Sequence, residues 1–230
     1  MKAKIPHIAM NLGTSKMITV ATVCAGDKYT PDYVTKLYNA VERHLTVPYK
    51  FVCLTDKPDS FECETLPIPL NLSGWWGKVA LFSNIIENRI LFFDLDTVIT
   101  RNINDFATYD GDLAIIKPFY RDDGYASGVM NIGPGAHKHV WDIFSSNPQG
   151  AINECERQAI PPWNIGDQRW LELTVPRADY WQSLLPNQLV SYRVHCMANK
   201  SLPKNACIVC FHGKPDPHEV NDEWIVSNWK

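Results

Sequence analysis

The sequence has no apolar run near the ~18 residues a membrane helix needs, so no spanning helix is expected. It has no excess of one charge. Lys and Arg number 22 against 25 Asp and Glu, a net of −3 with pI near 6.1, so nothing draws the whole chain toward nucleic acid or anionic lipid. No repeat of solenoid length and no low-complexity segment occurs, which excludes repeat arrays and disordered tails. Met1-Lys2-Ala3-Lys4-Ile5-Pro6-His7 has a basic start with no apolar core behind it, so no secretory signal is expected. The seven cysteines form an odd set, read as reduced thiols in a cytoplasmic setting. Cys207 and Cys210 have zinc-like spacing, but no second CxxC or Cys/His pair completes four ligands, so they are expected to be core thiols.

What is present is an ordinary globular chain of 230 residues, 45% hydrophobic. That length suits one domain, expected to span 1–230, with 1–16 as an N-terminal extension and 216–230 as a C-terminal tail. The β-branched run over 17–24 predicts a buried strand. Thr30-Pro31-Asp32 opens a helix whose apolar positions Tyr33, Val34, Leu37, Tyr38, Val41 and Leu45 share one face. Residues 49–55 form the next strand, completing a βαβ unit. Further strands are expected at 89–93, 112–116 and 128–132, and helices at 75–84, 137–144 and 166–173. This alternation predicts one α/β, Rossmann-like domain with a mostly parallel central sheet and helices on both faces. Ligands in such sheets gather beyond the carboxyl ends of the strands.

The most informative stretch is Ile90-Leu91-Phe92-Phe93-Asp94-Leu95-Asp96-Thr97-Val98-Ile99. Four apolar residues lead into two aspartates. On extended backbone, i and i+2 face the same way, so Asp94 and Asp96 can converge. Two carboxylates at the edge of an apolar core repel unless a proton or a cation joins them. A divalent ion held by oxygens is the economical answer. The same pair resembles the first motif of haloacid-dehalogenase-like phosphatases, with Asp94 as nucleophile. That alternative is weakened because the pair lies on a later strand, and Gly166-Asp167-Gln168-Arg169-Trp170-Leu171 lacks the second acid such enzymes use.

Other motifs lie in order around the pair: Thr22-Val23-Cys24 through Tyr29, Trp76-Gly77-Lys78-Val79-Ala80-Leu81, Ala126-Ser127-Gly128-Val129-Met130-Asn131, Gly166-Asp167-Gln168, and Phe211-His212-Gly213-Lys214-Pro215. Together with the DxD element they resemble the GT-A fold nucleotide-sugar glycosyltransferases, most closely the retaining, glycogenin-like family 8, over roughly residues 17–215. The chain departs from the family where Ala126 replaces an asparagine and where His212 and Lys214 are more closely spaced.

The resemblance implies a metal-dependent transferase taking a nucleotide sugar, a UDP-sugar first, and retaining the anomeric configuration. It implies that Thr22, Val23, Cys24 and Tyr29 hold the base and ribose. Lys78, Lys214 and Gly213 would lie at the diphosphate, and Ser127 and Gly128 beside the donor sugar. Asp167 and Gln168 would face the reacting carbon. Asp94 and Asp96, around Leu95, would ligate the metal with His212. One imidazole among oxygens favours Mn²⁺, with Mg²⁺ the alternative. Tyr192-Arg193-Val194-His195-Cys196 and His218 are expected to border the cleft, and Trp163 to touch the acceptor. The acidic end of the chain argues against a lipid-bound acceptor and leaves a soluble glycan, a protein or a modified nucleobase. A nucleotide-sugar binder without turnover is the third class.

Overall fold

The computed structural model describes residues 17–159 and 165–230. The expected N-terminal extension and Trp163 lie outside them. The order begins β1 (Ile18–Cys24), α1 (Pro31–His44), β2 (Tyr49–Thr55) and β3 (Glu64–Pro67). A 3₁₀ run over Gly74–Phe82 precedes β4 (Ile90–Phe93), β5 (Thr97–Ile99), α2 (Asn104–Ala107), β6 (Leu113–Ile116) and β7 (Ala126–Ile132). Then come α3 (His139–Ser146), α4 (Pro148–Gln158), α5 (Asp167–Thr174), β8 (Asp179–Tyr180), α6 (Trp181–Leu184) and β9 (Leu189–Ser191). A π-helical turn at Tyr192–Cys196 leads to β10 (Ile208–Cys210) and α7 (Glu223–Asn228).

Seven strands form the main sheet in the order β3-β2-β1-β4-β7-β6-β8. Only β7 opposes its neighbours, pairing antiparallel with β4 and β6, so the sheet is mostly parallel as expected. Strand β4 shows why its sequence is continuously apolar. Leu91 and Phe93 join the core under α1, while Ile90 and Phe92 join the core under α3 and α5. A strand buried on both faces has no polar side to show.

Two expectations change. The segment after the tryptophans forms 3₁₀ rather than α-helical turns. It lies so close to β1 that a Cβ on Gly77 would come within 2.9 Å of Val23 Cγ1. Residues 216–230 are no loose tail: Ile225 and Trp229 are buried in the α1 core, and the Trp229 ring meets Tyr33 edge-on at 4.8 Å. Asp216 and Glu219 in this stretch form a capping box and Asp222 accepts from Tyr192 Oη, while α7 packs against β5.

A second sheet of three strands, β5-β10-β9, completes the wall beside the acidic pair. It sets Cys210 opposite Thr97 and beside Ser191. Sequence separation of over a hundred residues is thus closed by strand pairing directly beneath the site. All seven cysteines are free, and no described helix is long and apolar enough to cross a membrane.

Candidate functional site

Beyond the carboxyl ends of β1 and β4 lies a cavity of about 650 Å³. The aspartates enter it from a turn rather than from extended backbone. Thr97 N donates to Asp94 O at 3.1 Å, so the chain folds back between β4 and β5. Asp94 and Asp96 therefore share the cavity while reaching different partners.

Asp94 accepts from Lys78 with both oxygens, at 2.9 and 2.8 Å. Lys78 Nζ also donates to Ser127 Oγ at 3.2 Å and lies 3.8 Å from Asp167 Oδ2. Burial opposes charge on this ammonium, but Asp167, Asp94 and Asp96 together outweigh it, so its pKa is raised. The bond from Asp94 N to Gly128 O, 2.8 Å, fixes the carboxylate against antiparallel β7. A Cβ on Gly128 would lie 3.5 Å from Asp94 Oδ2, so the small residue keeps this approach open.

Asp96 accepts from Tyr29 Oη at 2.7 Å, and Lys28 Nζ donates to that same hydroxyl at 2.7 Å. Burial and the neighbouring Asp94 still hold the Asp96 carboxyl well above the usual carboxylate range. Asp167 begins α5 behind Gly166, whose φ of 65° and ψ of −138° suit glycine alone. A Cβ there would overlap the indole of Trp75, which lies on this turn and also lines the cavity. Burial raises the Asp167 pKa despite Lys78, and its Oδ2 is buried with no hydrogen-bond partner.

Of the residues singled out in the sequence, Val23, Tyr29, Lys78, Asp94, Leu95, Asp96, Gly128, Asp167, Gln168, His212 and Gly213 line the cavity. Thr22, Cys24, Ser127 and Lys214 do not. Thr22 spends its hydroxyl on Phe93 O at 3.0 Å, and Cys24 is buried beneath the turn with Sγ 3.7 Å from Tyr29 O. Ser127 acts from behind Lys78. Lys214 points to Asp216 at 2.7 Å and Glu219 at 3.0 Å, with its side chain 70% exposed. His218 hydrogen-bonds Tyr33 instead of bordering the cavity, whereas Arg193 does border it.

His212 shares the cavity with the aspartates, but its Nε2 lies 2.6 Å from Ser191 Oγ and its ring stacks on Phe119. Burial, Arg193 and His195 push its pKa down to about 4, leaving a neutral imidazole near pH 7. Among the described residues, no three His, Cys, Asp or Glu side chains are gathered as a ready-made metal centre. The two carboxylates nevertheless fit a divalent cation. Asp94 stands close enough to Asp96 to raise its pKa, and a cation between two such carboxylates would relieve that repulsion.

Sequence reasoning missed the lining stretch Pro118 to Arg121 between β6 and β7, whose Phe119 stacks on His212, and Lys28. Arg121 is tied to Glu172, which also accepts from Arg169 at 3.0 Å and from Tyr125 N at 3.2 Å. No motif signals that loop. A run of aromatic and charged residues in a β-connection was its one visible sign.

No protein-family model matches the chain, and no curated protein sequence matches it. Solved structures do. The glycosyltransferase GlyE of Streptococcus pneumoniae TIGR4 superposes with TM-score 0.62 at 17% identity, over 87% of this chain and 56% of that one. The galactosyltransferase LgtC, solved with donor and acceptor sugar analogs, gives 0.63 at 15% identity over 92% and 94%. The bifunctional glycosyltransferase WbbM gives 0.59 at 12% over 96% and 50%. The chain thus spans about half the length of GlyE and WbbM and nearly all of LgtC. Its fold is the GT-A glycosyltransferase fold. The phosphatase alternative depends on a haloacid-dehalogenase fold, which these likenesses do not support.

Proposed function

We propose that the protein is a divalent-metal-dependent glycosyltransferase, moving a sugar from a nucleotide donor, a UDP-sugar first, to an acceptor hydroxyl with retention of configuration. One observation carries the reading: Lys78, Asp94, Asp96 and Asp167 converge in a single cavity beyond the sheet of a GT-A fold. Asp94 and Asp96 would hold Mn²⁺ or Mg²⁺, and His212 would join them once its ring left Ser191. When bound, such an ion offsets the negative charge that develops on a departing diphosphate.

The chain's own residues supply the remaining parts. Lys78 donates beside Asp94 and presents positive charge where the diphosphate leaves. Asp167, which lines the cavity, accepts from a hydroxyl of the donor sugar and so orients the anomeric carbon. Tyr29 and Val23 form the side of the cavity suited to a nucleoside. The bond from the anomeric carbon to the diphosphate oxygen breaks while the acceptor oxygen bonds the same carbon on the same face. The acceptor proton passes to the departing phosphate oxygen, so no side-chain base is required. Asp167, 3% exposed and held near Lys78, acts as an acceptor of a hydrogen bond rather than as a nucleophile.

The acceptor is a soluble glycan, a protein or a modified nucleobase, and the cytoplasmic setting read from the cysteines belongs to this proposal. The test is a panel of nucleotide sugars with Mn²⁺, scored for release of free nucleoside diphosphate. A UDP-sugar is expected to be consumed. Asp96→Ala should abolish this without unfolding the chain, and EDTA should stop it. Turnover that persists in excess chelator removes the metal from the reading. Nucleotide binding without turnover would identify a silent binder.

A further inference from the structure

The cation expected at the diphosphate from the Gly213-Lys214-Pro215 stretch is already engaged elsewhere. Lys214 Nζ lies 2.7 Å from Asp216 Oδ2 and 3.0 Å from Glu219 Oε1, and it is not among the residues lining the cavity. The same two acids form a capping box around Asp216–Glu219, so the lysine serves a helix entrance.

Another cation stands where Lys214 does not. Arg193 lines the cavity from the π-helical turn, on the same wall as His212 and Gly213. Its Nη1 would lie 3.2 Å from a Cβ built on Gly213, so the guanidinium passes directly over that glycine. Gly213 has φ 72°, a conformation that favours glycine, and its missing side chain leaves the arginine its path. Arg193 is exposed and makes no hydrogen bond or ion pair among the described residues, unlike Lys78 and Arg121 on the same lining. Its turn is held rigidly, since Ser191 Oγ accepts from Val194 N at 3.2 Å and Ser191 N donates to His195 Nδ1 at 3.0 Å. Charge around the cavity is therefore divided. Acids 94, 96 and 167 are met by Lys78 and Lys28, while the guanidinium of Arg193 stands uncommitted over Gly213 on the wall that bears His212.

We propose that Arg193, and not Lys214, is the side chain that grips the terminal phosphates of the nucleotide donor. A planar guanidinium presents paired donors matched to two phosphate oxygens, and an arginine without a carboxylate partner has that fork free. The inference rests on the glycosyltransferase reading, because it assigns the donor's diphosphate to this cavity.

The test is calorimetric titration of UDP, GDP, ADP, CDP and dTDP with Mn²⁺ into wild type, Arg193→Ala, Arg193→Lys and Lys214→Gln, with uridine as the phosphate-free control. For the diphosphate that wild type prefers, Arg193→Ala should weaken binding by about tenfold or more. Arg193→Lys should recover part of it, and Lys214→Gln should stay within about twofold, as expected of an exposed pair. Uridine affinity should not change. Because Arg193 is exposed and unpaired, the thermal midpoint of Arg193→Ala should match wild type. Undiminished affinity in Arg193→Ala, or a loss confined to Lys214→Gln, overturns the assignment while leaving the transferase reading intact. A wild type that binds none of the five diphosphates overturns both.

Discussion

Lys78 and Asp94 are joined through both carboxylate oxygens, at 2.8 and 2.9 Å, and the same ammonium stands 3.8 Å from Asp167. One lysine thus fastens the 3₁₀ segment to the β4–β5 turn and to the start of α5. These three places are far apart in sequence.

Lys78→Met should therefore cost stability as well as donor binding. Its side chain is 12% exposed, and removing it strands two carboxylates. A loss of ~3–5 kcal/mol is expected for breaking such a pair from one side. Urea unfolding at pH 7 measures it, and a loss below ~1 kcal/mol would show the ion pair to be well solvated.

The Asp96 carboxyl is shifted upward by burial and by Asp94, and this sets a pH dependence. A carboxyl with a folded pKa above its unfolded one favours folding most when both states are protonated. That contribution is lost as pH rises from ~4 toward the folded value. Metal-free wild type should lose stability relative to Asp96→Asn over that interval. Unfolding curves at pH 4 and pH 7 compare the two, and a constant gap between them contradicts the shift.

Gly166→Ala should damage the site more than its size suggests. The backbone there has φ 65° and ψ −138°, and a Cβ would overlap Trp75. Strain of ~1–3 kcal/mol is expected from the conformation alone. Donor hydrolysis should fall with it, because Asp167 follows directly. Normal turnover together with normal stability would mean that the turn can relax.

Glu172 holds the part of the lining that bears Arg121 by pairing with both Arg121 and Arg169. Glu172→Ala leaves two largely buried guanidinium groups facing each other. A destabilisation of ~3–5 kcal/mol is expected, and Glu172→Gln should recover part of it. Thermal unfolding of the two variants checks the order.

Much of the frame was legible in the sequence because apolar runs of strand length, broken by Gly, Pro and Asp, are local signals. Strands β1, β2, β4 and β7 and helix α1 all follow from such runs. Short strands β5, β9 and β10 were not, since three residues carry no period and their pairing is decided by distant partners. The acidic pair stands out in the sequence, but its apolar flanks suggest extended backbone where the chain turns between Asp94 and Thr97. The motif order located Lys78, Asp167 and His212, which line the cavity. Lys214 lies outside that lining, because motif order cannot register that two nearby acids hold the lysine. The stretch holding Arg193 is expected at the cleft and lines it, whereas Arg121 depends on how a loop folds back, which no spacing rule announces.

The pairing of β10 with β5 makes the cavity a late construction. Its acidic floor comes from residues 94–96, but the wall bearing His212 exists only after residues 208–210 have docked against 97–99. A growing polypeptide would expose the aspartates long before the cavity around them could close. The enclosed chamber therefore arrives with the closing strands, and a truncated product lacking them would carry the acids without the wall that faces them.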